Sequence, residues 1–321
     1  MKIAAIQLNN YIGEMVQSFI AAEKLIEQAA SQGAKLVALP ELSTCGYIPN
    51  PDIWNYGEPR EGITSKWAKE IAKKHQIYLG AGFLECDGKD FYNSYLIANP
   101  QGEIDGVIRK KEVEAYCFKE FYDTNIIETA IGRIGIGICA DTHKKWFFKK
   151  MQDLKPDLIL LPHAWATPKI ANHLISNKDI NKAEQDLKTL GKLYTEYLNV
   201  PTVFINSWGK IPTMVGFFGK MMSNDYFSLN GSSGIFLQGG KAYYCLDQED
   251  QITVDVALGA GKQTMNPKFY HGWLHRGSWF IRKIIIPLET KSAQKFYKRS
   301  SLRIEKAKIC FDYYQEYRKK L

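Results

Sequence analysis

The sequence predicts an α/β fold with mixed sheets. Short apolar runs that are typical of buried strands recur along the first 260 residues, and amphipathic segments separate several of them. Two links between successive runs, residues 99–103 and 238–241, are turn-rich and too short to hold a helix. The helical segments favour an α/β arrangement, whereas the short links predict hairpins, so the sheets should be mixed.

The strands and helices are expected in a definite order. The segments expected to form strands are residues 2–8, 35–42, 77–85, 91–100, 103–110, 132–139, 157–164, 202–209, 233–238, 241–246 and 251–258. The segments expected to form helices, from their apolar side chains at spacings of three and four, are residues 14–30, 64–74 and 181–198. In the first of these, Phe19, Ala22 and Ile26 share one face, and Gly33 stands just beyond its end. Each apolar face is expected to cover a sheet.

Composition restricts the class of protein. With 321 residues and 45% hydrophobic content, the chain is long enough to bury a large core. The six cysteines show no CxxC and no regular spacing, which argues against a disulfide framework and favours a reducing, cytoplasmic location. The apolar stretch in MKIAAIQLNN is too short for a signal-peptide core, and no run approaches the ~18 apolar residues of a membrane-spanning helix. We therefore expect a soluble cytoplasmic protein.

Positive charge is concentrated at the carboxyl end. Residues 262–321 contain 15 Lys or Arg and four acidic residues, a net charge of +11, so the overall charge of +8 leaves −3 for residues 1–261. We therefore predict a main domain, 1–261, and a basic amphipathic extension, 262–321, called the tail below. Its apolar side chains should pack on the main domain or on a partner subunit; the alternative is peripheral contact with an anionic membrane surface. No nucleic acid is expected as a partner.

Three chemically distinct side chains follow predicted strands. Glu41 comes directly after the run KLVALP, Lys110 ends the run EIDGVIRK, and Cys139 ends the run GRIGIGIC. Singly, each has a simple structural interpretation: an ion-pair partner, a solvated strand edge and a buried thiol. Together they form a coherent set, because a thiol needs a base to become nucleophilic and a nearby ammonium stabilises both the thiolate and an oxyanion.

Other hydrolytic chemistries have less support in the sequence. The chain holds no GxSxG, so a serine hydrolase is not expected. The six histidines form neither HExxH nor another metal-ligand spacing, so a zinc enzyme is not expected either. A pair of Cys139 with His143 or His163 is the open alternative to a carboxylate base. We expect that the protein needs no metal and no organic cofactor.

At these residues the chain resembles the nitrilase superfamily of carbon-nitrogen hydrolases, over residues 1–260. LVALPELSTCGY is similar to the family's glutamate segment, YNSYLIANPQGEIDGVIRKK to its lysine segment and GRIGIGICAD to its cysteine segment. The resemblance implies that Glu41 is the general base, Lys110 rather than Lys111 the oxyanion-binding cation, and Cys139 the nucleophile. It also implies that Glu120 is the second glutamate, which helps to hold the lysine.

The same resemblance implies a fold and a pocket. The expected fold is a four-layer αββα sandwich that pairs with a second subunit into an eight-layer dimer. The substrate pocket is expected to involve Tyr47, Ala140, His163, Trp165 and Asn206. A segment from 210 to 228, which contains Phe217, Phe218, Met221, Met222 and Tyr226, is interpreted either as a lid or pocket wall or as a surface excursion.

The expected function is cleavage of a small non-peptide amide or N-carbamoyl bond through a cysteine thioester. One alternative is an N-acyltransferase that passes the same acyl group to an amine. A second alternative is a nitrilase, and a third is a scaffold protein with an idle site. The sequence leaves the substrate open, because the pocket depends on loops and on the 210–228 segment.

Overall fold

Two six-stranded sheets form the centre of the protein, in a computed structural model that describes residues 1–172, 175–216, 219, 226–263 and 265–319. The strands are β1 (Lys2–Gln7), β2 (Leu36–Ala38), β3 (Tyr78–Asp87), β4 (Asp90–Ala98), β5 (Ile104–Arg109), β6 (Ile126–Thr129), β7 (Gly132–Ile136), β8 (Leu158–His163), β9 (Ala166–Pro168), β10 (Thr202–Asn206), β11 (Trp208–Gly209), β12 (Phe227–Asn230), β13 (Gly234–Phe236), β14 (Ala242–Tyr244) and β15 (Asp250–Asp255). The α-helices with described bounds are α1 (Met15–Ser31), α2 (Ile63–His75), α3 (Lys145–Leu154), α4 (Asn177–Leu198), α5 (Ile286–Arg299) and α6 (Ser301–Lys319).

Both sheets mix parallel and antiparallel pairs. The first has the order β15-β1-β2-β3-β4-β5, with β1, β2 and β3 parallel and the other pairs antiparallel. The second has the order β14-β13-β10-β8-β7-β6, with β7, β8 and β10 parallel. A small third sheet has the order β11-β12-β9. The prediction of mixed sheets with hairpins is confirmed.

Helices cover the outer faces of the two large sheets. On the first sheet, Ile26 of α1 and Trp67 and Ile71 of α2 join a buried cluster with strand residues such as Val37 and Leu79. On the second sheet, α3 and α4 contribute to a cluster with β8 and β10; its members include Phe148, Met151, Leu187, Leu190, Ile159, Leu161 and Phe204. Residues of both sheets meet in a third cluster between them, which includes Ile3, Leu36, Ile136, Leu160 and Val203. The layers are therefore α, β, β and α, as expected.

This topology brings the ends of chemically important strands to one place. Strand β5 is two antiparallel steps from β3, so it runs in the same direction as β2 and β3. Glu41 lies in the turn region after β2, and Lys110 directly follows β5. Because strands with a common direction end at the same edge of a sheet, these two side chains start from the same edge.

A close backbone approach fixes the turn that carries Glu41. A Cβ atom at Gly82 of β3 would lie 2.4 Å from the backbone nitrogen of Leu42 and 2.7 Å from the carbonyl oxygen of Pro40. Leu42 has a left-handed backbone, with φ of 48°. The glycine therefore lets the turn lie directly on β3, and any side chain there would displace the turn.

Part of the tail packs on the main domain. The Tyr297 hydroxyl of α5 accepts a hydrogen bond of 2.9 Å from the backbone N–H of Phe91, and Arg303 of α6 forms a 2.9 Å ion pair with Asp90. Among the described residues, no helix combines the length and the apolar character needed to cross a membrane. The expected packing of the tail on the main domain is therefore present for α5 and α6.

Candidate active site

Lys110 lies at the centre of a buried ionic cluster. Its Nζ is 2.7 Å from Oε1 of Glu41 and 3.0 Å from Oε1 of Glu114. Burial favours the neutral amine, but Glu114, Glu41 and the nearby Cys139 together raise the pKa of Lys110 well above its ordinary value. The side chain therefore remains a cation although water cannot reach it.

Glu41 is held by groups from both sheets. Its Oε1 accepts hydrogen bonds of 2.7 Å from Lys110 and of 2.7 Å from Nδ2 of Asn93 on β4. Its Oε2 accepts a 2.8 Å bond from the backbone N–H of Ala164, which follows β8 in the second sheet. A buried carboxylate with three donors has a fixed position, which suits a group that must repeatedly accept and return a proton.

Cys139 begins a 3-10 turn, Cys139–His143, just beyond β7. Its backbone is left-handed, with φ of 46°, an uncommon conformation for a residue with a side chain. Burial and Glu41 raise the pKa of its thiol well above the ordinary value, and Lys110 offsets only part of this effect. The resting sulfur is therefore protonated, and it requires a base before it can attack.

Asp141 connects the nucleophile turn to the chain after Lys110. Its Oδ1 accepts hydrogen bonds of 2.7 Å and 3.2 Å from the backbone N–H groups of Glu112 and Lys111. The side chain is completely buried, and this burial raises its pKa to about 7, against the lowering effect of these hydrogen bonds and of Lys110. Asp141 thus ties the ends of β5 and β7 together across the site.

The two histidines that might replace the carboxylate base are poorly suited to the task. Burial and the neighbouring His163 lower the pKa of His143 well below its ordinary value. Burial also lowers the pKa of His163 to about 3, and its Nδ1 lies 2.8 Å from the carbonyl oxygen of Leu161, to which it donates. Both imidazoles are weak bases in these positions, so the structure disfavours a pair of Cys139 with either of them.

A cavity of about 310 Å³ opens above Cys139. The main domain lines it with Tyr47, Ala140 and Trp165, three of the residues expected from the sequence. The tail supplies a further part of the wall, namely Trp273, His275 and Arg282. We call two sets of residues the floor and the rim of the site: the floor is Glu41, Lys110, Glu114, Cys139 and Asp141, and the rim is Tyr47, Trp165, Trp273, His275 and Arg282.

Three expectations for individual residues need correction. Glu120 is exposed at the surface, and the second carboxylate on Lys110 is Glu114, one helical turn's spacing after the lysine. His163 and Asn206 are fully buried and do not line the cavity. Oδ1 of Asn206 accepts a 2.8 Å hydrogen bond from the backbone N–H of Trp165, so Asn206 positions a rim residue from behind.

Part of the 210–228 segment also borders the cavity, through Ile211 and Met214. Four of the large apolar residues considered for a lid, Phe217, Phe218, Met221 and Met222, lie outside the described residues. Glu114, Asn93 and the rim residues of the tail were not predicted from the sequence. The spacing of four between Lys110 and Glu114 gave no signal for the first, because it indicates an ion pair only within a helix and residues 110–114 are not helical.

Comparison with known proteins identifies the family. A model of the carbon-nitrogen hydrolase family matches residues 2–177, more than half of the chain. The chain therefore belongs to the carbon-nitrogen hydrolases, the nitrilase superfamily to which the glutamate, lysine and cysteine segments pointed.

Individual relatives agree with this assignment. A nitrilase of Pyrococcus abyssi is 33% identical over 156 residues, 46% of this chain and 57% of that protein. A citrullinase of Francisella tularensis is 31% identical over 159 residues, 46% of this chain and 54% of that protein. The chain thus matches little more than half the length of these two relatives. A solved carbon-nitrogen hydrolase structure from Helicobacter pylori shares the fold, with a TM-score of 0.69, 18% identity and coverage of 94% of this chain and 96% of that chain.

Proposed function

We propose that this carbon-nitrogen hydrolase is an amidase, which cleaves a small non-peptide amide or N-carbamoyl bond through a thioester on Cys139. One observation carries the proposal: a buried lysine, held between two carboxylates at 2.7 Å and 3.0 Å, adjoins a cysteine that opens on a cavity of about 310 Å³. A base, a cation and a nucleophile are the groups that acyl transfer requires.

Formation of the thioester begins with proton transfer. Glu41 takes the thiol proton of Cys139, and the sulfur attacks the carbonyl carbon of the bound amide. Negative charge develops on the carbonyl oxygen, where Lys110 and the backbone N–H of Ala140 stabilise it. Glu41 then gives its proton to the leaving nitrogen, the C–N bond breaks and ammonia or an amine departs.

Hydrolysis of the thioester uses the same groups. Glu41 accepts a proton from a water molecule, the resulting hydroxide attacks the thioester carbon, and the second oxyanion is again stabilised by Lys110. The C–S bond breaks, the acid is released, and the proton on Glu41 returns to the sulfur. One carboxylate therefore alternates between base and acid, which agrees with its three fixed hydrogen bonds.

The names of the relatives support this class of substrate. The Francisella relative is named a citrullinase, and citrulline carries a terminal ureido group, which is an N-carbamoyl function. The Pyrococcus relative is named a nitrilase. Nitriles are therefore the second class of compound to be assayed.

The test is mass spectrometry of the intact protein after rapid quenching with a panel of short amides and ureido compounds. We expect an added acyl mass on Cys139 together with release of ammonia. The variant Cys139→Ala should lose at least about 10⁴-fold in ammonia release, because removal of a covalent nucleophile is not compensated. Cys45→Ala, at a buried cysteine that does not line the cavity, is the matched control.

Other outcomes would identify a different function. An acyl mass on Cys139 that is transferred to an added amine, without release of the free acid, would show an acyltransferase. Full turnover by Cys139→Ala would contradict the thioester mechanism. Absence of both the adduct and ammonia across amides, ureido compounds and nitriles would contradict the proposal.

A further inference from the structure

The tail completes the wall of the active-site cavity. Trp273, His275 and Arg282 line the same space as Cys139, although they follow it in the chain by more than 130 residues. The adjoining chain is tied to the main domain, because the backbone N–H of Leu274 donates a 2.9 Å hydrogen bond to the carbonyl oxygen of His143. The tail is therefore part of the site and not only a surface attachment.

Arg282 is held in a fixed orientation at this wall. Its Nη1 donates hydrogen bonds of 2.6 Å and 3.2 Å to the carbonyl oxygens of His275 and Tyr270. Its guanidinium carbon lies 4.6 Å from the centre of the Trp273 ring. These contacts use one edge of the guanidinium and one of its faces, and they remove conformational freedom that a binding group would otherwise lose on contact with a ligand.

The other charges that line the cavity are matched by opposite charges. Glu114 lies 3.0 Å from Lys110, and Asp186 lies 2.6 Å from Lys182 and 3.3 Å from Nδ1 of His275. The ion pairs among the described parts of the chain do not include Arg282, for which Asp186 acts only at longer range. Arginine stays charged in proteins, so the rim carries a partly buried cation that no contacting carboxylate of the described residues balances.

We propose that Arg282 binds an anionic group at the end of the substrate remote from the scissile bond, so that the preferred substrates are small amides or ureido compounds that carry a carboxylate. This inference rests on the proposed amidase function. A carboxylate matches the planar guanidinium and supplies the missing charge. A cavity of about 310 Å³ lies at the small end of the range for ligand pockets, which favours a short acid.

The experiment compares substrates that differ only in that carboxylate. Succinamate is paired with butanamide, glutaramate with pentanamide, and N-carbamoyl-β-alanine with N-propylurea, since in each neutral partner a methyl group replaces the carboxylate. The full-length protein should show a higher kcat/KM for the acid of at least one pair. Arg282→Gln should lower kcat/KM for that acid by about 10- to 100-fold and change it for the neutral partner by less than about threefold.

Two further variants separate binding from folding. Arg282→Lys, which keeps the positive charge, should recover part of the preference for the acid. Arg276→Gln removes an exposed arginine of the same tail and should change neither substrate. Thermal unfolding of all variants verifies that they are folded. If Arg282→Gln is not folded, the comparison of acid and neutral substrates with the wild-type protein still tests the inference.

The results distinguish this inference from the function on which it rests. Ammonia release from acid and neutral partners at equal kcat/KM would overturn the anion site and leave the amidase function standing. Equal losses for both partners in folded Arg282→Gln would show that Arg282 only supports the wall. Ammonia from none of the compounds, without an adduct on Cys139, would contradict the amidase function itself.

Discussion

The floor and the rim of the site are built in different ways. Floor residues follow strands of the two large sheets and are linked by short hydrogen bonds, such as those from Lys110 and from the Ala164 N–H to Glu41. Rim residues come from loops and from the tail, and they meet through ring contacts such as the 6.4 Å separation between the ring centres of Trp165 and His275. The floor is therefore suited to fixed chemistry, and the rim to selection among substrates.

After loss of the nucleophile itself, the largest effect should follow from loss of the floor's cation. Lys110→Met should lower kcat by about 10²- to 10³-fold, because an oxyanion donor is removed and two buried carboxylates lose their partner. Lys111→Met is the matched control, since Lys111 instead packs 4.3 Å from the centre of the Trp146 ring and should be nearly neutral for activity. Steady-state ammonia release measures both. A greater loss for Lys111→Met would reverse the assignment between the neighbouring lysines.

Stability should depend on pH through another floor residue. The pKa of Asp141 is about 7 in the folded protein and 3.8 ordinarily, so the folded state binds its proton more tightly than the unfolded state. Stability from this group is then greatest at low pH and is lost as pH rises towards 7. The free energy of unfolding of the wild type, relative to Asp141→Asn, should fall by about 2 kcal/mol between pH 5 and pH 7.

Urea unfolding at several pH values measures this difference. Asp153→Asn, at an exposed position of α3, serves as the control and should follow the wild type at every pH. If the free energy of unfolding changed with pH in the same way for the wild type and Asp141→Asn, Asp141 would already be ionised at pH 5 in the folded protein.

A smaller effect is expected at the second carboxylate of the floor. Glu114→Gln keeps the shape and an oxygen acceptor but removes the charge that helps to keep Lys110 protonated, so kcat should fall by about tenfold. Glu120→Gln, at the exposed position favoured by the family resemblance, should leave kcat within about twofold of the wild type. Kinetic assays of the two variants in parallel decide between the glutamates, and the opposite ranking would restore Glu120.

The floor could largely be predicted from the sequence, and the part of the rim that the tail supplies could not. Glu41, Lys110 and Cys139 each follow a run whose apolar pattern marks a buried strand, and catalytic groups in α/β proteins collect beyond strand ends. The α/β class and the three expected helices were predicted from apolar patterns of the same kind, whereas the four layers were implied by the family resemblance. Helix α3 and strand β6 were not predicted. They contain only ten and four residues, which is too short for a clear periodic pattern.

The tail's part of the rim depends on where the tail packs, and a local pattern carries no information on that contact. In the tail, Trp273 and Trp279 both lie among apolar and basic residues in sequence, yet the first lines the cavity and the second is 54% exposed. Likewise Arg282 faces the cavity while Arg276 faces solvent. Only the tertiary structure separates these pairs.

The smallest effect should come from removing one ring of the rim. Trp273 lines the cavity, and the Nζ of Lys144 lies 3.5 Å from the centre of its ring. Trp273→Ala should raise KM by about fivefold with little change in kcat, because the ring contributes to binding and touches none of the floor residues' hydrogen bonds. Trp279→Ala removes an exposed ring of the same tail and should leave both constants unchanged. Initial rates over a range of substrate concentrations give kcat and KM separately. A fall in kcat for Trp273→Ala at unchanged KM would show that the rim also takes part in the chemistry. The distinction between floor and rim would then have to be abandoned.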